Sequence, residues 1–130
     1  MRPLTLATFV AVLLLFDSAY SGGPEPLSTA ELRSLLPGTT STGNTNSGSS
    51  FHAYRALDGT LRGRSSGITD KGTWEITDDG QLCRKWTFWD SGKRRCWIYF
   101  KKGDEYEYWY ADRSGMRGKV KIRPGNPENL

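Results

Sequence analysis

The chain has 130 residues, of which 36% are hydrophobic, 12% aromatic and 25% charged, and its formal net charge at neutral pH is +4. This length fits one domain, because domains usually contain roughly 100–200 residues. The composition excludes a collagen, a coiled coil, a disordered tail and a multi-pass membrane protein, and it does not by itself indicate an activity.

Residues 1–21 have the pattern of a cleaved signal peptide. Arg2 supplies a positive charge, residues 4–16 form an uncharged apolar run, and residues 19–21 (Ala-Tyr-Ser) give a small-x-small cleavage site. The run is shorter than the ~20 apolar residues that cross a bilayer comfortably, so an uncleaved membrane anchor is the less favoured alternative. We therefore predict a periplasmic or secreted protein with a single β domain over 22–130 and no stable membrane insertion after cleavage.

A short helix is predicted at about residues 29–36. Ser28 and Glu31 have the spacing of a capping box, in which each side chain accepts a hydrogen bond from the other residue's backbone N–H. Leucines at positions 32, 35 and 36 follow at helical spacing, and Pro37-Gly38 ends the helix. Because a helix of two turns is not stable alone in water, these leucines must pack against the rest of the domain.

The polar stretch over residues 39–50 contains only Ser, Thr, Asn and Gly. A flexible linker and a polar edge strand are both compatible with this composition. We favour a strand that starts near residues 39–42 and continues into a loop, because threonine suits strands and the helix ends abruptly.

From Phe51 onward, apolar residues alternate with polar ones and turn dipeptides interrupt the pattern, with Asp58-Gly59 as the strongest hairpin signal. The predicted strands are 51–57, 60–64, 72–77, 81–88, 94–100, 105–110 and 117–123. Connections this short allow only antiparallel pairing. The predicted fold is therefore mainly β: an antiparallel up-and-down meander or small lipocalin-like barrel with one short N-terminal helix, favoured over an open sheet with two exposed edges.

Cys83 and Cys96 are the two cysteines of the chain, and an exported protein meets an oxidising compartment that favours one intramolecular disulfide. They lie directly opposite each other if the hairpin turn is centred between positions 89 and 90. A tight turn at positions 91 and 92 would place Cys83 opposite Phe100, too far for a bond. We predict the disulfide and a loop of at least four residues; a β-bulge is the other solution.

Several short motifs occur in a fixed order: 37–40 (Pro-Gly-Thr-Thr), Tyr54 with 58–60 (Asp-Gly-Thr), 72–74 (Gly-Thr-Trp), 79–86 (Asp-Gly-Gln-Leu-Cys-Arg-Lys-Trp), Cys96 and 124–126 (Pro-Gly-Asn). This order resembles a family of small exported bacterial proteins with the domain of unknown function nine-nine-five, over about residues 27–127. The resemblance implies a signal peptide, a compact β fold, a bacterial source and no established activity. A weaker resemblance, in architecture only, is to lipocalin- and avidin-like barrels.

The thirteen aromatic residues of the predicted mature chain all lie between Phe51 and Tyr110. We expect Trp74, Trp86 and Trp97 to build the core. The candidate ligand-binding residues are three tyrosines on one face of their strand, a tryptophan expected to be exposed at a loop tip, and one further tyrosine: Tyr106, Tyr108, Tyr110, Trp89 and Tyr54.

Charged residues point less clearly than the aromatic residues to a ligand or partner. Basic clusters at 93–95, at 101–102 and along 119–123 are explained by turns and by a solvent-facing strand, and interspersed acids argue against a nucleic-acid partner. One histidine, two paired cysteines and no calcium-loop spacing give no metal or cofactor prediction.

These observations predict a monomeric, non-catalytic binding barrel of the bacterial envelope. Its ligand would be a small apolar or aromatic molecule, a glycan or a partner protein, for example a hydrolase that it inhibits. The alternatives are a structural envelope protein and a small envelope hydrolase that uses Glu105 or Glu107 with His52.

Overall fold

The computed structural model describes residues 25–45 and 47–130, so the predicted signal peptide and its cleavage site lie outside the described residues. Within the described ranges, no helix is long and apolar enough to cross a membrane.

One helix precedes eight antiparallel strands. Helix α1 spans Thr29–Leu35, and the strands are β1 (Thr39–Thr45), β2 (Ser50–Arg55), β3 (Thr60–Ser65), β4 (Ile68–Ile76), β5 (Leu82–Trp86), β6 (Arg95–Lys102), β7 (Glu105–Tyr110) and β8 (Met116–Pro124). Each strand pairs with the next, and β8 pairs back onto β1, which closes the barrel. The mainly β, antiparallel prediction is confirmed, and closure leaves no edge strand exposed.

The polar stretch contains strand β1 and then a loop, as favoured from the sequence. Strand β1 pairs with β2 on one side and β8 on the other, so the expected edge position is wrong. Strand β4 begins at Ile68, four residues before the predicted start. The reason is a tight turn in which Ser66 and Gly67 both have positive φ, the geometry of a type I′ hairpin.

The predicted disulfide is present. Cys83 and Cys96 are bonded and lie directly opposite each other in the β5–β6 ladder. The connection is the wide loop that the disulfide required: residues 87–94 contain a 3₁₀ turn over Trp89–Gly92 and turn back through positive φ at Asp90 and Ser91.

Helix α1 closes one end of the barrel, which we call the helix end. Its capping box is formed as predicted, with 3.1 Å hydrogen bonds in both directions between Ser28 and Glu31. Leu32 and Leu36 have no exposed surface and pack among interior residues of the strands. The helix leucines therefore pack against the rest of the domain as predicted, and they fill the helix end. The other end carries residues 47–49 and the loops 66–67, 87–94 and 111–115, and it is called the loop end.

A second, smaller core lies around Trp86, which packs on Ala53 and Leu61. Gly63 faces it from β3, and a Cβ at that position would lie 2.5 Å from the Trp86 ring and 2.6 Å from the Trp89 ring. Glycine is therefore required there for the two indoles to approach the sheet. The predicted core positions of Trp86 and Trp97 are confirmed. Trp74 is half-buried but packs against both cores, and it donates its indole N–H to the Ala56 carbonyl.

Candidate ligand site at the barrel mouth

Three of the predicted ligand-binding tyrosines share one face of β7, as expected, and that face points into the barrel. Tyr106, Tyr108 and Tyr110 lie opposite interior-facing residues of β6. Tyr106 is near the helix end, beside a cavity of about 310 Å³. Tyr108 is 1% exposed, and Tyr110 is 42% exposed at the loop end. The stripe therefore runs through the barrel instead of along a wet outer face.

Trp89 does not project from its loop as expected. The carboxylate of Asp70 accepts hydrogen bonds of 2.9 Å from the backbone N–H groups of Phe88 and Trp89. This contact turns the Trp89 ring inward onto Trp86, with 4.7 Å between the ring centroids. The exposed aromatic of this loop is Phe88, which is 79% exposed. Gly63, which leaves room for the Trp89 ring, and Asp70 are both far from Trp89 in sequence. The orientation of Trp89 therefore depends on long-range contacts.

Asp70 itself is ionised. Burial alone would raise the pKa of Asp70, but the backbone N–H groups of Trp89, Phe88 and Lys71 donate to the carboxylate and hold the pKa below its ordinary value. The carboxylate is therefore a structural clamp between β4 and the 87–94 loop.

Tyr54 lies on the opposite face of the sheet from Tyr108. Its neighbours on β2, Ala53 and Arg55, are both buried in the interior, so the alternation of a strand places Tyr54 outside, opposite Thr40 and Arg62. The five predicted ligand-binding residues thus do not form one site.

A group of four residues does come together inside the loop end, and we call it the barrel mouth: Arg84, Trp97, Tyr108 and Tyr110. The Arg84 guanidinium carbon lies 5.7 Å from the Trp97 ring centroid and 5.7 Å from that of Tyr108. Those two rings are 5.7 Å apart, and Tyr110 lies 5.1 Å from Trp97. Sequence reasoning named Tyr108 and Tyr110 and missed Arg84, whose inward direction follows from the outward direction of the neighbouring Cys83.

The barrel mouth holds three buried polar atoms that make no hydrogen bond of good geometry with the described residues: Arg84 Nε, Trp97 Nε1 and the Tyr108 hydroxyl oxygen. Most buried polar groups in native proteins have a partner, so three such atoms in one place require an explanation. Burial raises the pKa of Tyr108, against the smaller opposing effects of the Arg84 charge and of a side-chain hydrogen bond from Arg84 to the phenol oxygen. The phenol therefore stays protonated, and its O–H remains able to donate.

Strand β8 positions the Tyr108 hydroxyl. A Cβ at Gly118 would lie 2.8 Å from this oxygen, so the absence of a side chain there makes the space in which the phenol lies. The ring is also fixed by an edge contact with Phe51 and by stacking on Tyr99. The hydroxyl is therefore held rigidly in place.

Arg55 is a fully buried arginine of the barrel interior and has a structural role. Its guanidinium donates to the Leu36 carbonyl and to the hydroxyls of Thr39 and Ser41, which fastens the end of α1 to the barrel wall. Burial lowers the pKa of Arg55 to about 10, so the side chain stays charged at neutral pH.

The structure does not bring together the residues of the hydrolase alternative. His52 lies on β2, with its Nδ1 3.9 Å from a Glu128 carboxylate oxygen. Glu105 and Glu107 lie on β7, and β1 and β8 separate the two strands. Three strand spacings amount to ~14 Å. Glu107 instead accepts a hydrogen bond from the indole N–H of Trp109. Within residues 25–45 and 47–130, no group of three or more ligating side chains could hold a metal ion.

We expect Glu128→Gln to lower the thermal unfolding midpoint only at pH values at which the Glu128 carboxylate is ionised. The hydrogen bond from Arg123, with the positive charge of Arg64, holds the pKa of Glu128 below its ordinary 4.5. A folded-state pKa below the unfolded one gives stability that is complete above pH 4.5 and is lost as the pH falls through the folded value.

Thermal melts test this expectation. They are best made in a His52→Gln background, so that the imidazole 3.9 Å from the Glu128 carboxylate does not contribute to the difference. The difference in thermal unfolding midpoint between the protein with Glu128 and its Glu128→Gln variant should be constant from about pH 8 to about pH 6. It should shrink in more acidic buffer. Glu105→Gln is the matched control, because Glu105 has no ion pair within the described part of the chain. A difference that persists unchanged at pH 3 would contradict the assignment.

Comparison with family models decides the membership of the chain. The model described as "Protein of unknown function (DUF995)" matches residues 4–114. The chain belongs to the DUF995 family. A search of curated proteins finds no match. The resemblance seen in the motifs is thus confirmed, and for this DUF995 protein the Cys83–Cys96 disulfide is typical of an extracytoplasmic location.

Proposed function

We propose that this protein is an exported, non-catalytic binding barrel of the bacterial envelope, and that it holds the polar group of a small molecule at the barrel mouth. The observation that supports this function is the set of three unpaired buried polar atoms on Arg84, Trp97 and Tyr108. A ligand that hydrogen-bonds to them would satisfy groups that are otherwise costly to bury.

The surroundings of these atoms favour a flat or apolar ligand body. Trp97 and Tyr108 present aromatic rings beside the polar atoms, and Tyr110 continues the aromatic wall toward solvent at the loop end. The helix end is filled by Leu32 and Leu36, so a ligand would reach the site from the loop end. Few polar groups within an aromatic lining are typical of small-molecule sites.

Identification of the bound molecule tests the function. The protein is purified from its native periplasm or medium, and its mass is compared before and after denaturation to find a released small molecule. We expect Tyr110→Ala to lose this molecule. Phe88→Ala is the matched control, because it removes an exposed aromatic from the neighbouring loop beside a separate cavity of about 380 Å³.

Three results would contradict the proposal. A molecule lost with Phe88→Ala and kept with Tyr110→Ala would place the site on the outer surface of β3 and β4. A protein recovered in place of a small molecule would support the inhibitor or partner hypothesis. Recovery of no bound molecule would favour a structural envelope protein.

A further inference from the structure

The charge distribution around the barrel mouth defines the ligand further. Arg84 of β5 lies directly opposite Arg95 of β6, and the disulfide next to this pair projects from the other face of the sheet. Both arginines therefore belong to the interior face, with Arg95 exposed at the rim. Two like charges directly across a ladder destabilise a sheet unless an opposite charge lies between or beside them.

A third arginine adds to this positive charge. Arg117 of β8 is close enough to Tyr108 for its charge to favour ionisation of the phenol, as does Arg84. Positive charge thus reaches the Tyr108 hydroxyl from β5 and from β8, two strands on opposite sides of β7 and β6.

No carboxylate of the described residues neutralises these three arginines. Four other arginines do form ion pairs with carboxylates: Arg33, Arg64, Arg94 and Arg123. On the interior faces of the eight strands the one acidic residue is Asp70, and its carboxylate is engaged by three backbone N–H groups. The cationic charge at the barrel mouth is therefore left for a ligand to balance.

The unpaired atoms are complementary to a ligand group that only accepts hydrogen bonds. The Arg84 Nε–H and the Trp97 Nε1–H can only donate, and the protonated Tyr108 hydroxyl can donate as well. A neutral amide or hydroxyl of a ligand brings donors of its own, whereas an oxyanion brings acceptors alone. Hydrogen bonds between a guanidinium and an oxyanion are also about twice as strong as neutral ones.

We infer that the group bound at the barrel mouth is an oxyanion, either a carboxylate or a phosphate ester, on a small molecule with a flat apolar body, and that Arg84 is its principal contact. This inference rests on the proposed function, because it assigns the ligand class of the same site. Stacking of the guanidinium against Trp97 and Tyr108 holds it ready for the anion.

Calorimetric titration of the full chain with three probes of similar shape tests the inference: benzoate, phenyl phosphate and benzamide. We expect at least one of the two anions to bind with a Kd of about 1 mM or tighter. Benzamide should bind at least roughly tenfold more weakly, because it lacks the charge and adds donors. The stronger of the two anions distinguishes a carboxylate from a phosphate ligand.

Substitutions test which arginine contacts the anion. Arg84→Met should weaken anion binding at least roughly tenfold, the effect of losing a charged hydrogen bond. Arg113→Met is the matched control, because Arg113 also stacks on an aromatic ring, that of Phe100, and faces away from the barrel mouth. If Arg84→Met does not fold, Arg95→Met at the exposed rim should weaken the binding of the same anion several-fold. It should not lower the thermal midpoint of the unliganded protein, because it removes a like-charge pair.

The inference is overturned if benzamide binds as tightly as the anions, if neither anion binds, or if Arg113→Met weakens binding as much as the Arg84 or Arg95 variant. These failures differ from failure of the proposed function. A neutral molecule that co-purifies and is lost with Tyr110→Ala would leave the binding function standing and refute only the oxyanion. Absence of any bound small molecule would refute both.

Discussion

Replacing Leu36 by alanine is expected to lower the free energy of unfolding by about 3–4 kcal/mol. Leu36 has no exposed surface and packs in the main core beneath the end of α1. The substitution removes its transfer free energy and leaves a cavity, and closed barrel walls relax poorly into that cavity. Urea unfolding followed by tryptophan fluorescence measures the loss.

Leu57→Ala is the matched control for this prediction. The same side chain is removed, but Leu57 is 80% exposed in the turn between β2 and β3, so its loss should change the free energy of unfolding by less than about 0.5 kcal/mol. Equal effects of the two substitutions would mean that α1 does not contribute to the core. That result would also weaken the argument that ligands reach the barrel only from the loop end.

Removing the disulfide with the double substitution Cys83→Ala and Cys96→Ala is expected to lower the free energy of unfolding by about 3 kcal/mol. The bond closes a loop between residues 13 apart in sequence, and it links two strands with a short ladder. Strands β5 and β6 share only three residue pairs, whereas β1 and β8 share seven. Denaturant unfolding without reductant measures the loss.

Reductant supplies the control for the disulfide. Dithiothreitol should lower the stability of the wild-type protein toward that of the double variant and should leave the double variant unchanged. A double variant as stable as the oxidised wild type would show that the hairpin is held by its ladder and by the packing of Leu82 and Trp97 alone. Because Arg84 and Arg95 lie next to the bond, ligand affinity at the barrel mouth should fall together with stability.

The arrangement of the barrel mouth has a stability consequence as well. An arginine pair across a ladder, with unpaired donors beside it, is unfavourable when nothing is bound. Residues that lower stability in this way are typical of binding sites, where the ligand supplies the missing partner. The buried aromatic residues Trp97 and Tyr108 fill the core, and in the proposed site they would also supply donors to the ligand.

Local features were predictable from the sequence. The capping box of α1, most of the hairpin turns and the alternation of the central strands depend on residues within a few positions of one another and are found as expected. The turn at Ser66 and Gly67 was the one missed. The disulfide was predictable because only two cysteines are present, and its geometry in turn required the wide loop.

Long-range features were not predictable from the sequence. Threonine propensity predicted a strand in the polar stretch but not its place in the sheet. Strand β1 has no apolar alternation, because its interior positions hold small residues such as Ser41 and Gly43, and its pairing with both β2 and β8 depends on distant partners. The inward turn of Trp89 depends on Asp70 and Gly63.

Residue patterns alone predict an antiparallel β protein with a capped helix, one disulfide and an aromatic-rich core. They do not show that the barrel closes, that the tyrosine face of β7 is its interior, or that Arg84 meets Trp97 and Tyr108 there, all of which the folded structure shows. Propensity, capping and turn chemistry act over a few residues. The face that a strand turns inward, by contrast, is set by partners from elsewhere in the chain.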